Sequence, residues 1–471
     1  MPDPAASSAI AARARALPGG SRRGSGVPGR IRLLTGVTIA ALALLFATLA
    51  VTTQSARTGL QVIGHDAGPQ VLATAGLYHA LSDMDGQVAL VLLLGNEHAD
   101  RRRQALERYA ARRTEAGRAL LRASALAGDD AAEGRTIQAV LDGLGRYEQL
   151  ASRAMLLDEQ ARHAAGSPPE NVLEVYRQAT DLMRAELLPQ AYNLTLESGT
   201  IVRRTHDEAR ASMGAGRFVV AVGCVLALGS LVVLQGYLTR RFRRLVAPAL
   251  VVATAITAIY AYAGVVVLGR ESDALLTAKR DGFDSVLALA RARAISGDMH
   301  GDQTRYLIDP ERADTYEHTY LDAARAVLYL EAVNVPSYHG QAANAAATAP
   351  PPGGYPGLLG TALARGTPER AVEALRVYDG VQRADAELRR LAASDRDEEA
   401  VAVRLGAVDA ASAAYDDLLG RLAEERRAVF QRAIADGEAG MADLWFLLPA
   451  SMISIAVLVV AGVRPRLNEY R

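Results

Sequence analysis

The chain has 471 residues, half of them hydrophobic, and its 52 basic side chains balance 52 acidic ones. That neutrality leaves no surplus of cations to release counterions, which argues against nucleic acid as a partner. A single cysteine, Cys224, excludes an intramolecular disulfide, and 5% aromatics with one Trp supply too little for a large β-sandwich or α/β core.

Taken in order, residues 1–32 are rich in Ala, Gly, Pro, Ser and Arg and read as a disordered basic cytoplasmic tail. Six arginines between Arg13 and Arg32 precede the first apolar run, 33–51. A charged stretch before an apolar one also describes a secretory signal; the length of the run and the helical pattern beyond it favour a retained anchor. Residues 52–217 then read as an extracytoplasmic helical bundle. Its first helix carries Leu77, Leu81, Met84, Val88, Val91 and Leu94 at steps of three and four, and Gly95-Asn96 should end it. Leu106 to Leu121 mark a second helix and Ile137 to Leu150 a third. Ser167 is the expected N-cap of the fourth, with Pro168 and Pro169 just inside it.

Two charge-free apolar runs follow, 218–238 and 246–268, each long enough to span about 30 Å of hydrocarbon as a helix. Between them lies a basic loop, 239–245, with Arg240, Arg241, Arg243 and Arg244 and no acid. A second extracytoplasmic bundle is expected over 269–443. It should contain a helix running to Asp309-Pro310, one over roughly 311–335, and a Pro/Gly-rich loop at 349–357. A helix from Thr367-Pro368 and a last helix with Val401, Leu405, Val408, Ser412, Tyr415, Leu419 and Leu422 complete it. The fourth span, 444–463, begins at Trp445, an interface residue, and a short tail, 464–471, closes the chain. The tails and the 239–245 loop hold thirteen arginines against Asp3 and Glu469, which places both termini in the cytoplasm. The expected fold is therefore an all-α, multi-pass cell-membrane protein with four transmembrane helices and two antiparallel helical bundles in tandem.

The two outer segments also match locally. Asp83-Met84-Asp85-Gly86 parallels Asp298-Met299-His300-Gly301, and Arg146-Tyr147-Glu148 parallels Val377-Tyr378-Asp379. We therefore single out Asp83, Asp85, Asp298 and His300 as outer ligand or partner contacts. Arg240, Arg241, Arg243 and Arg244 are candidate contacts for a cytoplasmic partner, although the positive-inside rule alone accounts for them. No phosphate loop, dinucleotide fingerprint, nucleophile elbow or kinase signature occurs, so neither enzyme activity nor a cofactor is expected. His318 with Asp314 suits a solvated pair better than a metal site, and no metal is expected. The spans carry no ionisable residue of the kind coupled transporters use. Their small residues four apart (Gly36/Ala40, Ala43/Ala47, Gly223/Ala227) suit close packing between helices, in a monomer or a homo-oligomer within membrane lipid.

Bundles continuous with spans resemble the sensing parts of bacterial chemoreceptors and sensor kinases, but no signalling domain follows a span here. The span–bundle–span duplicate, the basic 239–245 loop and the arginine-for-lysine composition more closely resemble GlnX, a family of actinobacterial four-span membrane proteins. That resemblance implies a relay between an extracytoplasmic glutamate/glutamine-binding lipoprotein and a soluble cytoplasmic serine/threonine kinase, protein kinase G; it carries over no functional residue. The other readings left open by the sequence are an envelope scaffold, an accessory subunit of an amino-acid transporter, and a direct small-molecule sensor.

Overall fold

A computed structural model describes residues 27–127, 130–242, 247–351, 353–364 and 366–468, and every regular element among them is helical. The chain forms two compact units. One comprises Met1–Thr52, Ala215–Val266 and Asp443–Arg471; the other comprises Thr53–Gly214 and Val267–Ala442.

The first unit holds the apolar helices. Among the described residues, three helical runs are long and apolar enough to cross a membrane: Gly29–Leu94 and Pro248–Ile308, which continue into the second unit, and Gly214–Arg240. Pro449–Pro465 is a shorter apolar stretch. Packing here uses small residues. A Cβ added at Gly223 would lie 3.3 Å from Leu45, and one at Gly264 would lie 3.2 Å from Leu49, so glycine is what lets these helices approach. Gly36, by contrast, meets nothing within 4 Å. Leu33, Val51, Phe218, Val225 and Ile259 stay exposed, as suits side chains whose solvent is lipid. Arg243 and Arg244 lie outside the described residues, as do the side chains of Arg241 and Trp445.

The second unit contains two chain segments, Thr53–Gly214 and Val267–Ala442, and each has a π turn near its start and another before its last long helix. Helix α1 (Val27–Gln61) leads through a π-helical turn, Val62–Asp66, into α2 (Ala67–Leu94). Helices α3 (Ala99–Ala127), α4 (Ala131–Ala161) and α5 (Glu170–Leu182) follow, then a second π turn, Met183–Leu187, and α6 (Leu188–Phe242). In the later segment α7 (Pro248–Thr277) leads through a π turn, Ala278–Phe283, into α8 (Asp284–Ile308). Then come α9 (Ala313–Val327), α10 (Val335–Ala347), α11 (Leu358–Leu363), α12 (Pro368–Ala392) and α13 (Asp397–Val403). A fourth π turn, Arg404–Val408, opens α14 (Asp409–Asn468).

Local chemistry sets the ends of these helices. Gly95 at φ +52° stops α2, Asp130 caps α4 by accepting from the Ala132 and Glu133 amides, and Thr367 caps α12. Two expectations fail. Pro169, not Ser167, is the N-cap residue of α5, and it offers no side-chain hydrogen bond. The single helix expected over 311–335 ends at Val327, where Leu328 turns extended and the Tyr329 amide donates to the Pro356 carbonyl. A capping box, Asn334 with Ser337, then starts α10.

Two main cores form, and the first also takes Ile308, Val401 and Leu405 from the second segment. The α2 stripe Leu77, Leu81, Met84, Val88, Val91 and Leu94 is fully buried against Leu120, Val140, Tyr147, Val172 and Tyr176. Leu289, Met299, Tyr320, Tyr338, Tyr378, Tyr415 and Leu419 form the second core. The two segments are joined where α2 crosses α8: a Cβ added at Gly86 would sit 3.7 Å from the Gly301 Cα. The matched tetrapeptides therefore face each other at the crossing.

Candidate functional site: the α2–α8 crossing and its cavity

Close approach at Gly86 and Gly301 brings Asp85 of α2 within reach of the charged side chains of α8. Asp85 is 1% exposed and accepts from the Tyr147 hydroxyl at 3.0 Å, the Thr180 hydroxyl at 2.6 Å and Arg305 Nη2 at 2.6 Å. Arg305, itself fully buried, also donates to Asp302 at 2.7 Å and to the Tyr176 hydroxyl at 3.1 Å. Arg184, from the π turn before α6, grips Asp302 through two bonds of 2.9 and 3.0 Å and lies 3.5 Å from Asp298. Charges buried this deeply persist only when paired and hydrogen-bonded, and here three acids face two arginines. Asp298 bears the surplus: burial and then the charge of Asp302 push its carboxyl above the usual range.

On one side of the crossing a cavity of about 760 Å³ opens between α2, α3, α8, α12 and α14. Its walls carry arginine–aspartate pairs. Arg112 Nε meets Asp83 Oδ2 at 2.5 Å, and Arg293 Nη2 meets Asp416 Oδ2 at 2.6 Å. Arg404, fully buried, donates to Asp409 at 2.6 Å and to the Thr304 hydroxyl at 2.9 Å, and its Nη2 lies 3.0 Å from His300 Nε2. Burial, and next the Arg404 charge, hold His300 below the ordinary histidine value. Burial pushes the Asp83 carboxyl up, but Arg112 and His79 more than offset it and keep it low.

Against these paired walls stand unpartnered groups: His79, the Gln87 carbonyl and the Ser296 and Tyr415 hydroxyls. Both His79 ring nitrogens are buried and neither has a hydrogen-bond partner; the Gln87 side-chain carbonyl is in the same state. Burial lowers the His79 pKa, so at neutral pH the ring presents one donor and one acceptor, both unused. Each such buried group costs about 1–3 kcal/mol, which a fold normally avoids. A second, smaller cavity of about 400 Å³ lies between α2, α6 and α8, lined by Tyr78, Arg184, Tyr192 and Asp298.

The four outer residues picked from sequence thus fall into two places. Asp83 and His300 line the larger cavity; Asp85 lies in the buried ion network, and Asp298 borders that network and the smaller cavity. His318 faces Asp322 at 3.4 Å on the surface, not Asp314. Sequence reading missed Arg184, Arg305, Arg404 and His79. The α8 stripe Asp298, Asp302, Arg305, at steps of four and three, was a readable signal for a charged buried face.

Residues 59–207, which run from the end of α1 into α6, match the Actinobacterial sensor domain family. No curated protein and no solved structure matches the chain. The match covers His79, Asp83, Asp85, Arg112 and Arg184, hence the α2 side of the crossing and one wall of the larger cavity.

Proposed function

We propose that the protein is a transmembrane signal relay whose second compact unit senses a small ligand or a ligand-bearing lipoprotein and reports it to a soluble cytoplasmic kinase. A sensing role accords with the actinobacterial sensor-domain match over 59–207. The observation that carries the relay is helix continuity. The run Gly29–Leu94 holds both an apolar stretch and the Asp83–Gly86 tetrapeptide, and Pro248–Ile308 holds both an apolar stretch and its counterpart, Asp298–Gly301. A shift of α2 against α8 at their crossing would then be passed along each continuous helical run, as the kind of small piston or rotation that packed helices support.

The recurrence of the π turns accords with a tandem duplicate; in this reading there are four spans, the last over 444–463 and overlapping the apolar stretch Pro449–Pro465, with both termini inside. The exposed arginine at 240 and its neighbours at 241, 243 and 244 would then contact the kinase. The resemblance to GlnX supplies the partner classes: a glutamate/glutamine-binding lipoprotein outside and a serine/threonine kinase inside. In this reading the chain acts by binding and not by catalysis.

Affinity capture of the full-length protein in detergent, with and without glutamate, glutamine or aspartate, tests it. Recovery of a solute-binding lipoprotein and a soluble kinase, in amounts that change with amino acid, is the expected result. Constant partners of another kind would favour an envelope scaffold or a transporter accessory subunit instead.

A further inference from the structure

The larger cavity beside the crossing is lined by four arginines and four aspartates. Its four acids are each paired: Asp83 with Arg112, Asp409 with Arg404, Asp416 with Arg293, and Asp417 with Arg421 at 3.7 Å. Two of its arginines are not. Arg101 donates only to the Leu405 carbonyl, at 2.5 Å, and Arg108 forms no ion pair or hydrogen bond among the described residues. The unpaired charge of the cavity is therefore positive, in the form of two planar guanidinium groups suited to a carboxylate.

The unused neutral groups narrow the ligand further. The Gln87 carbonyl requires a donor, neutral His79 requires one donor and one acceptor, and the Ser296 and Tyr415 hydroxyls are likewise unpartnered. Inorganic phosphate or a bare dicarboxylate has acceptors in plenty but few or no donors. A carboxylate that also carries N–H or O–H answers both demands, and about 760 Å³ lies within the range of small-molecule sites.

We propose that this cavity binds a small amino or hydroxy acid directly, its carboxylate held by Arg108 and its donor group by the Gln87 carbonyl, which the antiparallel pairing of α2 with α3 places at the same level. The proposal rests on the sensor reading for its purpose but not for its test. Binding spans both segments, since Gln87 and Arg108 come from α2 and α3 while Arg293, His300 and Asp416 on the facing wall come from α8 and α14. An occupant would thus bear on the α2–α8 crossing.

The test is calorimetric titration of the full-length protein in detergent with L-glutamate, L-malate, succinate and inorganic phosphate. Saturable binding of glutamate or malate, with succinate and phosphate at least about tenfold weaker, is expected. Arg108→Gln, an exposed change that leaves the fold alone, should weaken binding by about tenfold, and Gln87→Leu should abolish the preference for the donor-bearing acids. Three results would overturn the assignment: no saturable binding by any acid, phosphate binding as well as glutamate, or an Arg108→Gln protein that binds like the parent. If the acids fail to bind while captured partners still respond to amino acid, this cavity is wrongly assigned and the relay stands. If they bind and no partner responds, the reverse holds.

Discussion

Asp85→Asn is the sharpest probe of the crossing. The change keeps the side chain's shape and one acceptor, but it removes the charge opposite Arg305 and sets an amide N–H₂ against either the Tyr147 hydroxyl or the Thr180–Arg305 pair. Breaking a buried ion pair from one side costs about 3–5 kcal/mol. Arg305 keeps Asp302 at 2.7 Å, so the lower end, about 3 kcal/mol, is the expected loss. The second unit holds roughly 340 residues, and at about 2.1 cal/mol/K per residue its unfolding entropy is near 0.7 kcal/mol/K. The midpoint should therefore fall by about 4 °C. Far-UV circular dichroism of the full-length protein in detergent, at one scan rate for every variant, reads it directly. Arg108→Gln serves as the exposed control. A midpoint for Asp85→Asn within about 1 °C of the parent would refute the reasoning, because Asp302 and Tyr176 would then suffice to hold Arg305.

The same melts test three further expectations. A methyl at Gly301 would lie 3.0 and 3.1 Å from the guanidinium nitrogens of pinned Arg305, whereas one at Gly86 would make ordinary contact at 3.7 Å; Gly301→Ala should cost about 1–3 kcal/mol and Gly86→Ala far less, and equal effects would contradict the crossing geometry. Asp298 and Asp302 should respond in opposite ways. Ionised Asp298 carries a penalty, since its carboxyl is raised and stability is lost as pH rises through that value, so Asp298→Asn should be neutral or stabilising at pH 7. Asp302→Asn should destabilise, because Asp302 holds Arg184, Arg305 and the Thr319 hydroxyl. Burial lowers both His79 and His300, so their stabilisation is whole above the unfolded value, about 6.5, and is lost as pH falls below it. Each contributes up to about 1.4 kcal/mol per pH unit in that window; the melting midpoint should drop between pH 7.5 and 5.5, and His300→Gln should flatten the drop. An unchanged slope in that variant would sink the assignment.

Much of the helical framework was legible because packing and pattern share one period. The α2 stripe from Leu77 to Leu94 recurs at three and four and is wholly buried, and Gly95 and Thr367 mark real ends through backbone conformation and capping. The break after Val327 was not legible. Leu328 to Val333 continue an apolar pattern, and what ends the helix is a distant partner, the Pro356 carbonyl, which only the folded chain brings near. Internal similarity found the right tetrapeptides but not what they do. Asp83 and Asp85 are two residues apart, so a helix turns them to different sides, one toward the cavity and one into the buried network. The arginines that answer them come from α3 and α8, and apart from the Asp298, Asp302, Arg305 stripe a chain this rich in arginine gives no local sign of which ones are buried. His79 stayed hidden for the opposite reason: what distinguishes it is the absence of partners, which no sequence pattern encodes.

The relay's central claim is that a change in the second compact unit reaches the end of an apolar helix. Arg240 is exposed at the end of the Gly214–Arg240 run, and Cys224 is the only native cysteine. A spin label on Arg240→Cys in a Cys224→Ala background, in the full-length protein in lipid nanodiscs, watches that end while both faces stay accessible. The account predicts that adding L-glutamate, alone or with a glutamate-binding lipoprotein, alters the label's mobility. A spectrum indifferent to both would contradict it.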